Sequence, residues 1–253
     1  LFLPAGASFI YVSVLQPLSL LIGALLALYV CFSYRKELRA AFIFLAAYLF
    51  IYMLAIILFT HGKAFLGEYY DQLVLPVQVM DYLMLFVFCI NVLKVVDIRH
   101  LNRSGWIVFG VTLAFSLFLA IYPEQNLISK IWRGELPALS NIMIQSVSYI
   151  LIRLVDATLI IVLTPVVWLY VQYLKSQQEQ SLTFTVIVFG IVCATLFDYL
   201  LQSILKMFPQ LLASESPLST TISEALYLYG YSIIAVGLYG HLKRDVWGFR
   251  IIE

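Results

Sequence analysis

The sequence predicts an all-α integral membrane protein, a bundle of seven transmembrane helices forming one domain over residues 1–253. Two observations carry that expectation. Of the 253 residues, 63% are hydrophobic and 11% charged, with a mean hydropathy of +0.97, whereas a soluble domain carries roughly 25% charged residues. So little charge does not cover a water-facing surface, and lipid must cover it instead. The apolar residues also fall into repeated runs of bilayer-crossing length, about 20 residues, divided by short clusters of charge, Pro, Gly and Gln.

The runs lie at about 8–34, 38–60, 73–96, 105–122, 143–174, 182–207 and 220–242. They use up nearly the whole length and leave little for a second domain. The fifth exceeds what a bilayer needs, so its helix is expected to tilt or to project into the cytoplasm over 171–180, where SQQEQS ends the apolar pattern. The longest expected external connection, 123–141, mixes apolar and polar residues around Trp132 and two prolines, which suits a short helix at headgroup level. After the last run, Trp247 and Phe249 are placed as interfacial anchors or as the start of a linker. The chain begins at Leu1 rather than Met, and a processed or trimmed sequence is expected.

Orientation follows from the basic residues of the short loops. Arg35, Lys36, Arg39, Lys94, Arg99, Arg103, Lys175, Lys243, Arg244 and Arg250 fall on one side, against Lys63, Lys130, Arg133 and Lys206 on the other. This asymmetry puts the N-terminus outside and the C-terminus in the cytoplasm. The third and seventh runs align at an offset that matches Asp81 to Glu224, Leu83 to Leu226 and Ile90 to Ile233. A three-plus-one-plus-three arrangement of parallel repeats is the corresponding architecture.

Ionisable groups inside a span cost several kcal/mol, about 2.5–3.5 on insertion scales, unless paired or hydrated. Arg153 and Asp156 are three apart on one helix and share a face, which predicts an intramembrane ion pair. Asp81, Asp198 and Glu224 fall in the outer halves of their spans, at heights comparable to Gln78, Gln145, Gln202, Tyr52, Tyr149, Tyr227, Tyr229 and Tyr231. From this set Asp81, Asp198, Glu224, Gln78, Gln202, Tyr227 and Tyr231 form a candidate ligand pocket open to the outside. Carboxylates beside tyrosine faces suit a cationic or hydroxyl-bearing ligand. The competing expectation for any one tyrosine is the interfacial belt or the packed core.

Other chemistry is disfavoured. The seventh run has no lysine for a retinal Schiff base, and His61, His100 and His241 stand at helix ends rather than at facing heights for haem. His100 and His241 are expected to be solvated rather than to bind metal. Cys31, Cys89 and Cys193 fall inside apolar runs and read as small core residues. No catalytic elbow, zinc helix or phosphate loop is present, and neither enzymatic activity, a cofactor nor a metal is expected. With a net charge of +1 and no basic groove, nucleic-acid binding is not expected either. The partners expected are the lipid bilayer and a cytoplasmic or membrane protein.

The stretch STTISEALYLYGYSIIAVGLYGHLKR, roughly a tenth of the chain, resembles the last helix of multi-span input domains in prokaryotic signalling proteins. There an acid, an L-Y-x-x-G-Y-like core and a G-L end lead into a basic cytoplasmic linker. The resemblance implies a membrane sensory or receptor-like module, in the plasma membrane of a prokaryote, that passes helix movement to a cytoplasmic output. This chain departs from the pattern by stopping at Glu253 with no kinase, cyclase or phosphatase module. The alternatives are a small secondary transporter in which Asp81 and Asp198 exchange protons or cations, and a non-catalytic scaffold subunit of a larger membrane complex.

Overall fold

In a computed structural model of the chain, the described residues are 11–95, 98–135, 141–175, 186–194 and 217–243. All their regular structure is helical. A π-helical turn, Tyr11–Leu15, leads into α1, Gln16–Cys31, followed by α2, Lys36–Leu66, and α3, Tyr70–Val95. The remaining elements are α4, Arg103–Ile121; α5, Gln125–Trp132; α6, Asn141–Lys175; α7 over 186–194; and α8, Pro217–His241.

Five segments are long and apolar enough to cross a membrane: Ser13–Cys31, Lys36–Gly62, Pro76–Val95, Arg103–Ile121 and Ile150–Leu169. The chain is therefore a multi-pass membrane protein, and these five coincide with the first five expected runs to within a few residues. The expected seventh run is found as the 25-residue helix α8. Of the expected sixth, only 186–194 lies within the described residues.

These helices are apolar all round, and on α1 and α4 side-chain size helps to distinguish their faces. On α1, Leu20, Ala24, Ala27, Val30 and Cys31 are buried against the bundle, while Val14, Leu18, Ile22, Leu25, Tyr29 and Phe32 are exposed. Small residues face protein because they let backbones approach closely, and bulky ones face lipid, where there is no penalty for leaving them outside. The same sorting makes α4 peripheral. Its buried residues are Gly105, Ser116, Leu119 and Ala120, the last two packed on Ala157 and Ile160 of α6.

Helix α1 packs on α2 and α8, α2 on α3, α3 on α6, and α6 on α4. Gly67, with φ of +53°, lets α2 turn directly into α3, so these two helices run antiparallel side by side. One end of the bundle thus gathers the turn after α1, the C-terminus of α3 and the C-terminus of α8. Asn102 ties α4 and α6 into that same end: its carboxamide oxygen accepts from the backbone N–H of Gly105 at 2.8 Å, capping α4, and from Trp168 Nε1 of α6 at 3.0 Å. Gly105 itself has no room for a side chain, since a Cβ there would collide with Leu101 and Trp168. Because Arg35, Lys36, Lys94, Arg99 and Arg103 cluster here, we call it the basic end.

Helix α6 is continuous over 35 residues, about 52 Å at 1.5 Å per residue, longer than the roughly 30 Å hydrocarbon core. The connection after α4 contains the expected short helix, α5, which has no buried residue and ends on a 90% exposed Trp132. Pro76 and Pro165 stand inside α3 and α6, each removing one rung donor from its helix.

Helices α7 and α8 meet on glycine. A Cβ at Gly190 would lie 2.7 Å from Ile234, one at Gly230 2.9 Å from Ala194, and one at Gly237 2.9 Å from Ile187. Gly190 and Ala194 form a small-xxx-small step, the spacing that brings one membrane helix into backbone contact with another.

Two expectations are corrected. His241 is not solvated: it is 5% exposed, and its Nε2 lies 2.6 Å from the Tyr34 hydroxyl of the α1–α2 turn. The helix end that sequence proximity to Lys243 suggested would face water is instead roofed by Tyr34 and Phe42. His100, by contrast, is exposed. Tyr229, placed with the pocket tyrosines by height alone, is 63% exposed on the outer face of α8, because two residues along a helix rotate a side chain to the far side. The three cysteines are buried and free, as small core residues.

Candidate functional site

A cavity of about 40 Å³ lies where five helices converge. Helix α2 supplies Tyr48 and Tyr52; α3 supplies Asp81, Tyr82 and Leu85; α6 supplies Asp156; α7 supplies Ala194; and α8 supplies Tyr227 and Tyr231. At about 1.5 Å per residue, Asp81 is about 21 Å of helix from Val95 and Tyr231 about 15 Å from His241. The cavity is therefore near mid-depth in a bilayer core of about 30 Å.

Its position follows from local spacing. Tyr48 and Tyr52 are one helical turn apart, as are Tyr227 and Tyr231, so each pair projects from one face. Tyr52 and Tyr231 bring the two pairs together with centroids 5.2 Å apart and rings tilted by 42°. Tyr48 and Tyr52 are 6.0 Å apart, and Tyr227 and Tyr231 lie nearly parallel at 6.3 Å. Rings at these separations, two pairs tilted and one stacked, hold one another by edge and face electrostatics. Tyr48 and Tyr231 are hydrogen-bonded to each other.

Asp81 is 3% exposed, and its Oδ1 has no hydrogen-bond partner among the described residues. A buried, unpartnered carboxylate oxygen is costly in a soluble interior and more so in a bilayer. Asp156 shares the cavity wall with it and is 4% exposed; the two carboxyls are close enough to interact electrostatically. Arg153, three residues before Asp156, is 2% exposed. Its guanidinium stands on the α6 face that carries Asp156.

The cavity thus gathers Asp81, Tyr227 and Tyr231 from the expected pocket, with Tyr52 from the same height. Gln78 is half-buried and does not line it. Glu224 is placed within α8, but its side chain, like those of Gln145 and Tyr149, lies outside the described residues, as do Asp198 and Gln202 altogether. Tyr48, Tyr82 and Ala194 were not singled out by sequence, and Asp156 was assigned to a structural pair rather than to a cavity wall. The available signal for Tyr48 was its one-turn spacing from Tyr52, repeated by Tyr227 and Tyr231. Among the described residues no group of three or more His, Cys, Asp or Glu is placed to hold a metal ion.

Fold and cavity together define a multi-pass helical membrane protein with a small polar chamber at mid-depth. Compared with protein families, with curated proteins and with solved structures, the chain matches none.

Proposed function

We propose that the chain is a membrane sensory or receptor-like module, a seven-helix bundle with its N-terminus outside and its basic end in the cytoplasm. The Asp81 cavity is its input, and α6 and α8 carry the output to a cytoplasmic domain or partner protein. One observation carries the reading: Asp81 Oδ1, without a hydrogen-bond partner among the described residues, belongs to a carboxylate that lines a chamber walled by five helices. Occupancy that satisfies Asp81 changes the balance of contacts among all five, which is the differential interaction a conformational response requires. The wall helices α6 and α8 both run on to the basic end, where α8 ends on the Tyr34 contact. No catalytic step is assigned to the chain.

Isolation of the native assembly in mild detergent, with mass determination of every polypeptide that accompanies the chain, tests this reading. A continuation into a cytoplasmic signalling domain, or a bound cytoplasmic signalling protein, is the expected result. A chain that is complete at this length and isolates alone contradicts it.

A second reading, a small secondary transporter, draws on the mid-depth position of the cavity and on the sequence match of Asp81 to Glu224. Transporter sites lie at that depth between repeats. Uptake of a cation into vesicles containing the purified chain, lost on Asp81→Asn, is the result that replaces the sensory reading with this one.

A further inference from the structure

We infer that the cavity holds one small monovalent cation, Na⁺ or a proton, at Asp81 Oδ1. The inference deepens the sensory reading by naming its ligand class, and it rests on that reading only for what occupancy is used for.

Charge comes first. Among the described residues around the cavity there are two carboxylates, Asp81 and Asp156, and one cation, Arg153, all at least nine-tenths buried. Arg153, three residues before Asp156 on the same helix face, is placed to offset that carboxylate, which leaves Asp81 without a counter-charge among the described buried residues. A charge at that depth persists only with a counter-charge. One monovalent cation, or one proton, completes the balance; a divalent ion overshoots it.

The donor chemistry and the room agree with this. Among the described residues, the polar side chains that line the cavity with Asp81 carry oxygen alone: Asp156 from α6, Tyr48 and Tyr52 from α2, Tyr82 from α3, and Tyr227 and Tyr231 from α8, while α7 contributes Ala194. Hard oxygen donors select hard cations, and neither a thiolate nor an imidazole lines the chamber. Calcium requires six to eight oxygen ligands, usually with several carboxylates, and magnesium keeps most of its water. A chamber of about 40 Å³ has room for a small ion together with water, each water needing about 10–15 Å³ of such space. Asp81 Oδ1 is the anchor because it is the lining carboxylate oxygen left without a partner.

The test uses the full chain in lipid nanodiscs at constant ionic strength, with N-methylglucamine chloride replaced stepwise by NaCl. Sodium binding raises the melting temperature along a saturating curve, by about 5–10 °C at a hundredfold excess over Kd, and Asp81→Asn abolishes the dependence. A proton on Asp81 gives no sodium dependence but a protonated-carboxyl infrared band in the wild type at neutral pH, which Asp81→Asn removes. A wild-type chain with neither response overturns the inference, and this reading needs no variant to fold. Both measurements report occupancy alone, so a bound cation with no signalling partner leaves the site standing while the sensory reading fails. A signalling assembly without cation dependence does the reverse.

Discussion

The cavity and the contact around His241 are both closed by α2 and α8, about three turns apart, yet one surrounds a chamber and the other is a stack of rings in mutual contact. At the basic end Tyr34, Phe42 and His241 stack as a trio, with centroids 5.5–5.7 Å apart and interplanar angles of 17–28°. The hydroxyl of Tyr34 and the imidazole of His241 satisfy each other. At mid-depth the rings are set at 32° and 42° between Tyr48, Tyr52 and Tyr231, and the splay leaves a chamber with Asp81 unpartnered on its wall. Aromatic content is similar in the two regions; the difference is whether the polar group among the rings finds a partner of its own. A closed aromatic contact fixes a helix end, and an incomplete polar one leaves an equilibrium that a ligand can bias. Between them run Leu45, Leu49, Ile234 and Leu238, all buried, and the glycine seam of α8 on α7.

Removing the filling of the closed region has the largest expected effect. Phe42→Ala, at a fully buried position, costs about 3–5 kcal/mol, read as a loss of folded protein in thermal or denaturant unfolding. A cost under about 1 kcal/mol at this position removes the distinction between the regions. Next is the seam that holds α8 in register between them. Gly230→Leu drives a side chain into Ala194 and its backbone and costs about 1–3 kcal/mol by overpacking; unfolding of the purified variant measures it.

The seam and the closed contact also mark what could be read from sequence. The first five spans were legible because each is a long apolar run, and lipid rewards that property directly. Asp81, Tyr227 and Tyr231 were legible because a carboxylate inside such a run demands an explanation. Tyr48 was not, since AAYLFIYM reads as ordinary apolar helix until the neighbour that faces it is known. The burial of His241 depends on Tyr34, more than two hundred positions away, and no local pattern encodes that approach. Asp156 was visible as a charge but was assigned to Arg153, its neighbour on the helix, because the shared wall with Asp81 exists only once α3 packs on α6.

Two smaller effects sharpen the contrast. Tyr34→Phe deletes the bond to His241 while keeping the stack, and costs about 1 kcal/mol, the net worth of one hydrogen bond. Asp81→Asn, in buffer poor in small cations, has the opposite sign: it removes an unbalanced charge at nearly constant volume and raises stability by about 1 kcal/mol. Parallel unfolding curves of the two variants check both. Destabilisation by Asp81→Asn similar to that by Tyr34→Phe indicates that Asp81 is already satisfied and that the two regions are alike.

The most direct test of the account is whether the state of the cavity is felt at the basic end. Spin labels placed at Lys175 and Lys243, at the ends of α6 and α8, report that distance in nanodiscs; Cys31, Cys89 and Cys193 are buried and poorly labelled. The account predicts that Asp81→Asn shifts the distance distribution by on the order of 2 Å, the size of helix displacements in switching proteins. Superimposable distributions for wild type and Asp81→Asn, with both proteins folded, contradict the claim that the cavity controls the helix ends.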